Sequence, residues 1–152
     1  GGAAGSYWTS KSNYDLAPTW HSTLAGFRNG LDPDLLAVLG ETTREVELNT
    51  ITDGGGQATI SDKIFLPSRM EIYGSVETDG HKGLQYQAYV GLADIDKIKY
   101  DTTALSTARS WWLRSPNAGN AYTARTVYNT TGAMSSSGAS NGYGAAAACV
   151  IL

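Results

Sequence analysis

With 152 residues, 41% of them hydrophobic, the chain fits one globular domain and leaves little room for two. Its net charge of −3 is unevenly spread: every acidic residue lies between Asp15 and Asp101, and beyond Asp101 the only charges are Arg109, Arg114 and Arg125. So sparse a set of cations makes no basic stripe, which excludes a nucleic-acid footprint, and no apolar run approaches the length of a membrane helix, which argues against direct membrane insertion.

In chain order, residues 1–12 read as a loose N-terminal arm of small residues with Tyr7 and Trp8 as anchors. Gly1 in place of a methionine leads us to expect a piece of a longer protein. Trp20, Leu24 and Phe27 follow helical spacing up to Gly30. Asp32-Pro33 then starts a second helix, the aspartate capping free amides and the proline suiting the first position. Leu35, Leu36, Val38 and Leu39 supply its apolar face, and Gly40 stops it. Val46, Leu48 and Thr50 alternate as in a half-buried strand, and Asp53-Gly54-Gly55-Gly56 reads as a turn. That turn lacks the Lys-Ser/Thr of a phosphate loop.

Lys63–Leu66 reads as a short strand closed by Pro67, and Ser68-Arg69-Met70-Glu71 as a capping box opening a short helix. Tyr86–Val90 and Ser110–Leu113 are further strand candidates. Hairpins follow, with Ala124–Tyr128, a turn near Gly132 and a final strand Ala145–Leu152. Short helices first and short strands after predict an α+β fold over a single domain, residues 1–152.

Little in the chain announces catalysis. His21 and His81 are far apart in sequence and have no ligand-spaced partners, so neither a metal nor a cofactor is expected. Asp94, Asp96 and Asp101 lack the spacing, central glycine and closing glutamate of a calcium loop, and with Lys97 and Lys99 interleaved they read as a solvated charged loop. The lone cysteine, Cys149, sits in an apolar run and reads as a buried small hydrophobe. Paired acids for a hydrolase stay open as an alternative, with no pair selected.

Residues 115–148 differ from the rest: Ala, Gly, Ser, Asn, Thr and Tyr dominate, and Arg125 is the single charge. Apolar runs on both sides, Trp111-Trp112-Leu113 and Cys149–Leu152, would pin the segment, with Val127 and Met134 as interior anchors. Tyrosine offers a rigid amphipathic surface at low entropy cost, while Ser, Gly and Asn offer adaptable hydrogen bonding, so the segment has the composition of a binding surface.

Trp111-Trp112-Leu113-Arg114-Ser115-Pro116, then Ala124, Val127, Gly132 and a closing Gly144–Ile151 stretch, resemble the C-terminal region of a family of bacterial and phage proteins. Those proteins are similar to C-type-lectin-fold domains related to formylglycine-generating enzymes. Asp62–Ser68 with Glu71 resembles the same family's upstream stretch, and Ala147 stands where the family usually has proline. The resemblance implies two short helices, a small twisted antiparallel sheet and extensive loops. The composition of 115–148 further resembles the variable region of diversity-generating retroelement proteins, in which adenine mutagenesis turns Asn codons into codons for Tyr, Ser, Gly, Ala and Thr.

Carried over, that resemblance makes Asn117, Ala118, Asn120, Ala121, Tyr122, Arg125, Tyr128, Asn129, Ser136, Ser137, Asn141 and Tyr143 variable, solvent-facing positions. Trp111 and Trp112 lie beneath them, with Leu113, Val127, Gly132 and Val150 as further scaffold. Tyr122, Arg125, Tyr128 and Tyr143 should carry most of the binding energy, because Tyr, Trp and Arg dominate interfaces. The implied function is non-catalytic binding of a protein or glycan ligand on a cell surface, from a phage virion or bacterial surface. A phage structural or decoration role without diversified binding is the alternative. The single cysteine does not match the copper site of the enzymatic relatives, nor are the calcium signatures of sugar-binding lectins present.

Overall fold

The computed structural model describes residues 31–51, 54–75, 83–101, 103 and 105–152. The N-terminal arm, the Trp20–Phe27 helix and both histidines lie outside the described residues. Two short helices and several small sheets make an α+β fold. Among the described residues no helix is long and apolar enough to cross a membrane.

Helix α1, Pro33–Val38, starts as its sequence dictates: the Asp32 carboxylate accepts from the amides of Asp34 and Leu35. It ends earlier than the apolar periodicity suggests. Leu39 and Gly40 leave the helix as strand β1 because their backbone pairs with β11, Ala148–Ile151. Leu35 and Val38 are therefore exposed, and of the expected apolar face only Leu39 is buried. Gly40 is thus a strand residue paired with Val150 rather than a helix stop.

Strand β2, Thr42–Glu47, pairs antiparallel with β3, Gln57–Asp62, around the turn of Gly54, Gly55 and Gly56, all at positive φ. The strand thus lies earlier than the Val46–Thr50 alternation indicates, with Thr50 in a turn, because its partner β3 fixes the register. Strand β4, Ile64–Phe65, pairs with β11, so β11 is the middle of a three-stranded sheet, β1-β11-β4.

Helix α2, Arg69–Tyr73, opens with the full capping box of Ser68 and Glu71 and closes at Gly74 with φ 67°. Residues 87–89 form a 3-10 turn instead of the expected strand at Tyr86–Val90. The Tyr86 amide is engaged by Glu71 O, and the Gln85 side chain ties Ile72 O to Tyr89 O, so no extended run is free to pair. A second 3-10 turn, Asp94–Lys97, precedes the two-stranded hairpin β5, Lys99–Tyr100, and β6, Ala108–Arg109.

The largest sheet has the order β10-β7-β8-β9, with β7 at Trp111–Pro116, β8 at Thr123–Val127, β9 at Met134–Gly138 and β10 at Gly144–Ala145. Pairs β7–β8 and β8–β9 are antiparallel, but β10 lies parallel to β7, so the sheet is mixed rather than purely antiparallel. Alternation along β7 puts the two tryptophans on opposite faces. Trp111 and Leu113 pack with Ile72 and Val127, while Trp112 packs with Leu66 and Ala124.

The two motifs that carry the family resemblance meet in one buried ion pair. Arg114 donates Nη1 to Glu71 Oε2 at 2.6 Å and Nη2 to Oε1 at 3.0 Å. Its remaining donors reach Leu66 O at 2.9 Å and Glu45 O at 3.2 Å. Glu71 Oε2 also accepts from the Ser68 amide at 2.8 Å, and Ser115 Oγ accepts from the Arg69 amide at 2.9 Å. A charge taken out of water is tolerated only with such complete hydrogen bonding. Burial, and next the Glu71 carboxylate, push the Tyr86 phenol up to about 12.

Two expectations about burial are corrected. Lys97 is not solvated: it is buried, donating Nζ to Asp94 Oδ1 at 3.0 Å and Leu92 O at 3.1 Å, 5.0 Å from the Tyr73 ring centre. The cause is the Asp94–Lys97 turn, whose Lys97 carbonyl accepts from Trp111 Nε1 and so draws the residue against the core. Conversely, Cys149 and Val150 are exposed. β11 is held by backbone pairing to strands only two residues long, and no described element roofs its side chains.

Candidate ligand-binding surface

The loop between β7 and β8 is not free to wander. Asn49, itself buried, donates Nδ2 to the carbonyls of Asn117 at 2.9 Å and Asn120 at 2.8 Å. Thr50 adds its amide at 3.1 Å and hydroxyl at 2.6 Å on Ala118 O. Within the loop, Asn117 Nδ2 donates to Thr123 Oγ1 and Asn120 Oδ1 accepts from the Tyr122 amide. The backbone is therefore fixed from the turn after β2, far away in sequence, and Tyr122 is presented from it with 81% of its surface exposed. Asn49 has no distinguishing signal in the sequence, where it reads as one polar residue of the Val46–Thr50 alternation.

At the other end of β8, Gly132 turns the chain with φ 68°. Its carbonyl accepts from the Tyr73 hydroxyl at 2.6 Å, and burial, with Asp94 next, raises that phenol well above its usual range. Asn129 braces the same end: its amide donates to Ser110 Oγ at 3.1 Å and Nδ2 to Ala108 O at 3.4 Å.

Beyond β9, Tyr143 lies with its ring centre 5.2 Å from that of Trp112, tilted by 35°. Ser137 Oγ and the Tyr143 hydroxyl are 3.1 Å apart, and Asn141 Nδ2 donates to the same serine at 2.6 Å. Trp112, though buried, is thus the floor beneath an exposed tyrosine held at both ends of its ring. Offset aromatic pairs of this kind contribute about 0.5–1.5 kcal/mol beyond their buried area.

The twelve expected variable positions sort into groups. Asn120, Tyr122, Tyr128, Asn141 and Tyr143 are exposed. Ala118, Ala121, Arg125, Ser136 and Ser137 are half-buried, as are Asn117 and Asn129. Asn117 and Asn129 face neighbouring chain rather than solvent, because their side-chain amides complete turns. Arg125 does not join the tyrosines. Its register opposite Ser136 places it on the Trp111–Val127 face, whereas Ser137, opposite Ala124, shares the Trp112 face with Tyr143. Tyr122 and Tyr128 flank β8 at its two ends, six residues apart, which is about 20 Å of extended chain. Among the described residues no group of three His, Cys, Asp or Glu side chains is placed to hold a metal ion.

One family of related sequences matches residues 8–152. The chain belongs to the DUF6273 family, a domain of unknown function. This DUF6273 domain spans both motifs of the Glu71–Arg114 pair and the whole of the Tyr122–Tyr143 rim. No curated protein and no solved structure matches the chain.

Proposed function

We propose that the chain is a non-catalytic binding module. Its ligand surface is the rim made by the Asn117–Tyr122 loop, the outer strand β9 and the loop ending at Tyr143. The observation that carries the reading is Tyr143: 38% exposed, yet fixed by Trp112 beneath it and Ser137 beside it. An aromatic side chain already held in place loses little entropy on binding, which is what a ligand anchor requires. The proposed ligand is a protein or a glycan chain, whose surface the exposed Tyr122 and Tyr143 would meet with aromatic area and the neighbouring Ser and Asn with neutral hydrogen bonds.

The diversification reading rests on composition. Exposed rim positions are drawn from Asn, Tyr, Ser and Ala, the set that adenine mutagenesis of Asn codons produces, on a scaffold of Trp111, Leu113 and Val127. In this proposal the domain has a C-type-lectin-like arrangement, its rim is diversified by a retroelement, and it acts at a phage or bacterial surface. Two measurements test it. Sequencing the neighbouring DNA should reveal a near-copy of the region coding for Asn117–Tyr143 beside a reverse transcriptase gene. Screening the chain on glycan and surface-protein arrays should give hits that Tyr122→Ala and Tyr143→Ala abolish. No such copy, together with hits that survive both substitutions, defeats the proposal.

A further inference from the structure

We infer that the cleft between the β5–β6 hairpin and β10 is a second binding site, for a small carboxylated sugar, with Lys99 and Arg109 as its cationic contacts. The cleft has a volume of about 250 Å³, below the range of drug-sized ligand pockets and of a size for one small ring. One wall is Gly144, Ala145 and Ala146, which carry no side chain larger than a methyl group. That wall is fixed, since Gly144 and Ala145 are registered beside Trp111 and Trp112 and the Gly144 amide donates to Ser110 O at 2.9 Å.

The opposite wall carries the charge. Arg109 meets Asp101 Oδ2 through Nε at 3.2 Å. A contact through Nε leaves the terminal pair of nitrogens for a two-point contact with an incoming carboxylate. Lys99 sits with its ammonium 5.7 Å from the Tyr89 ring centre, a contact that does not neutralise it. Asp101 is engaged otherwise: Oδ1 accepts the amide and hydroxyl of Thr103. The cleft thus offers two cations against one paired carboxylate, in a chain of net charge −3. Lys99 and Arg109 are register partners across the hairpin, so both cations stand on one face of it.

The test is an amide NMR titration of the intact chain with glucuronate, and with glucose as the neutral ring of the same size. Glucuronate should shift the amides of Lys99–Asp101 and Gly144–Ala146 and bind at least about tenfold more tightly than glucose. Arg109→Ala and Lys99→Ala should each weaken it about fivefold or more, and Arg109→Lys should recover part of the loss. Raising sodium chloride from about 50 to about 500 mM should weaken it as well. Both side chains are solvent-exposed, so the variants are expected to keep the wild-type spectrum elsewhere. Tyr122→Ala should leave glucuronate binding within about twofold, which separates this site from the rim. Absence of shifts with glucuronate, equal binding of glucose, or an unchanged affinity in Arg109→Ala overturns the inference.

Discussion

Removing Glu71 should damage the domain more than removing Arg114, and removing both should damage it less than removing Glu71 alone. Breaking a buried pair by deleting one partner costs about 3–5 kcal/mol, because the survivor's charge is left without compensation. In Arg114→Leu the survivor is Glu71, which keeps the Ser68 amide at 2.8 Å and a second guanidinium, Arg44, at 3.9 Å. The cost should therefore sit at the low end, about 3 kcal/mol. In Glu71→Leu two guanidiniums, Arg44 and Arg114, are left facing one vacated carboxylate position, and the helix cap is lost with it, which adds about 1 kcal/mol. A total near 5 kcal/mol approaches the whole stability of a small domain. The double substitution removes the worst of the unpaired charge and should cost about 4 kcal/mol, against about 8 for the sum of the singles. Urea unfolding followed by circular dichroism gives all three values. Even if Glu71→Leu fails to fold, a folded double variant keeps the comparison open. Additivity within about 0.5 kcal/mol, or a double variant less stable than Glu71→Leu, refutes the reasoning.

Gly132→Ala should cost about 3 kcal/mol or more in thermal unfolding: its φ of 68° disfavours any side chain, and the new Cβ would overlap the Asp94 carbonyl, 2.5 Å from its carbon. Gly91→Ala, at φ 78° with open space around it, should lose only the conformational part, about 1 kcal/mol, and equal losses at both positions would exclude the interlock. At high pH the fold should weaken through Tyr86. Its phenol titrates near the ordinary value of 10 when unfolded and at about 12 when folded, so its contribution is complete below pH 10 and is lost as pH rises toward 12. The Tyr73 phenol, raised further still, acts in the same direction, so Tyr86→Phe should flatten that limb only in part, and a curve identical to wild type would show that the Tyr86 phenol does not contribute. Substitutions at the exposed Tyr122 and Asn141 should each move stability by only about 0.5 kcal/mol, whereas Asn49→Ala should cost about 1–3 kcal/mol and speed hydrogen exchange across Asn117–Tyr122.

Signals that act over a few residues were legible in the sequence. The Asp32 cap, the Ser68–Glu71 capping box, the glycine turn before Gln57 and the opposed tryptophans of β7 each depend on neighbours within a turn or on strand alternation. What escaped was set by partners far along the chain. β3 carries a weak polar pattern and exists because β2 pairs with it. Tyr86–Val90 has strand-forming residues, but among the described residues no strand pairs with it. Lys97 is polar yet buried, since Trp111 fixes its backbone. The apolar end of the chain reads as core because hydropathy reports what a residue prefers, whereas Cys149, Val150 and Ile151 stand exposed on β11. For the candidate surface, the exposed tyrosines were readable from composition, but the clamp by Asn49 and the divergence of Arg125 from the tyrosines required the register.

The charges of the C-terminal third explain how one chain can combine a rigid frame with a permissive rim. Arg114 is fully engaged inside, on Glu71 and two carbonyls, and its loss would be felt in folding. Arg109 stands outside on the hairpin with Asp101. Arg125 lies on the Trp111 face of the sheet. The rim from Tyr122 to Tyr143 is thereby left without a carboxylate or ammonium of its own, and its exposed residues hold one another by neutral hydrogen bonds. Exchanging a neutral exposed residue does not strand a buried charge, so the rim can change while the frame stays intact. The frame's own requirements, Asn49 under the first loop and Gly132 under the second turn, lie on or beneath the backbone and leave the exposed Tyr122 and Asn141 open to substitution. That separation is what a surface selected for new ligands needs, and it predicts that sequence differences among functional variants of this chain should fall on the rim and spare the residues that fix its backbone.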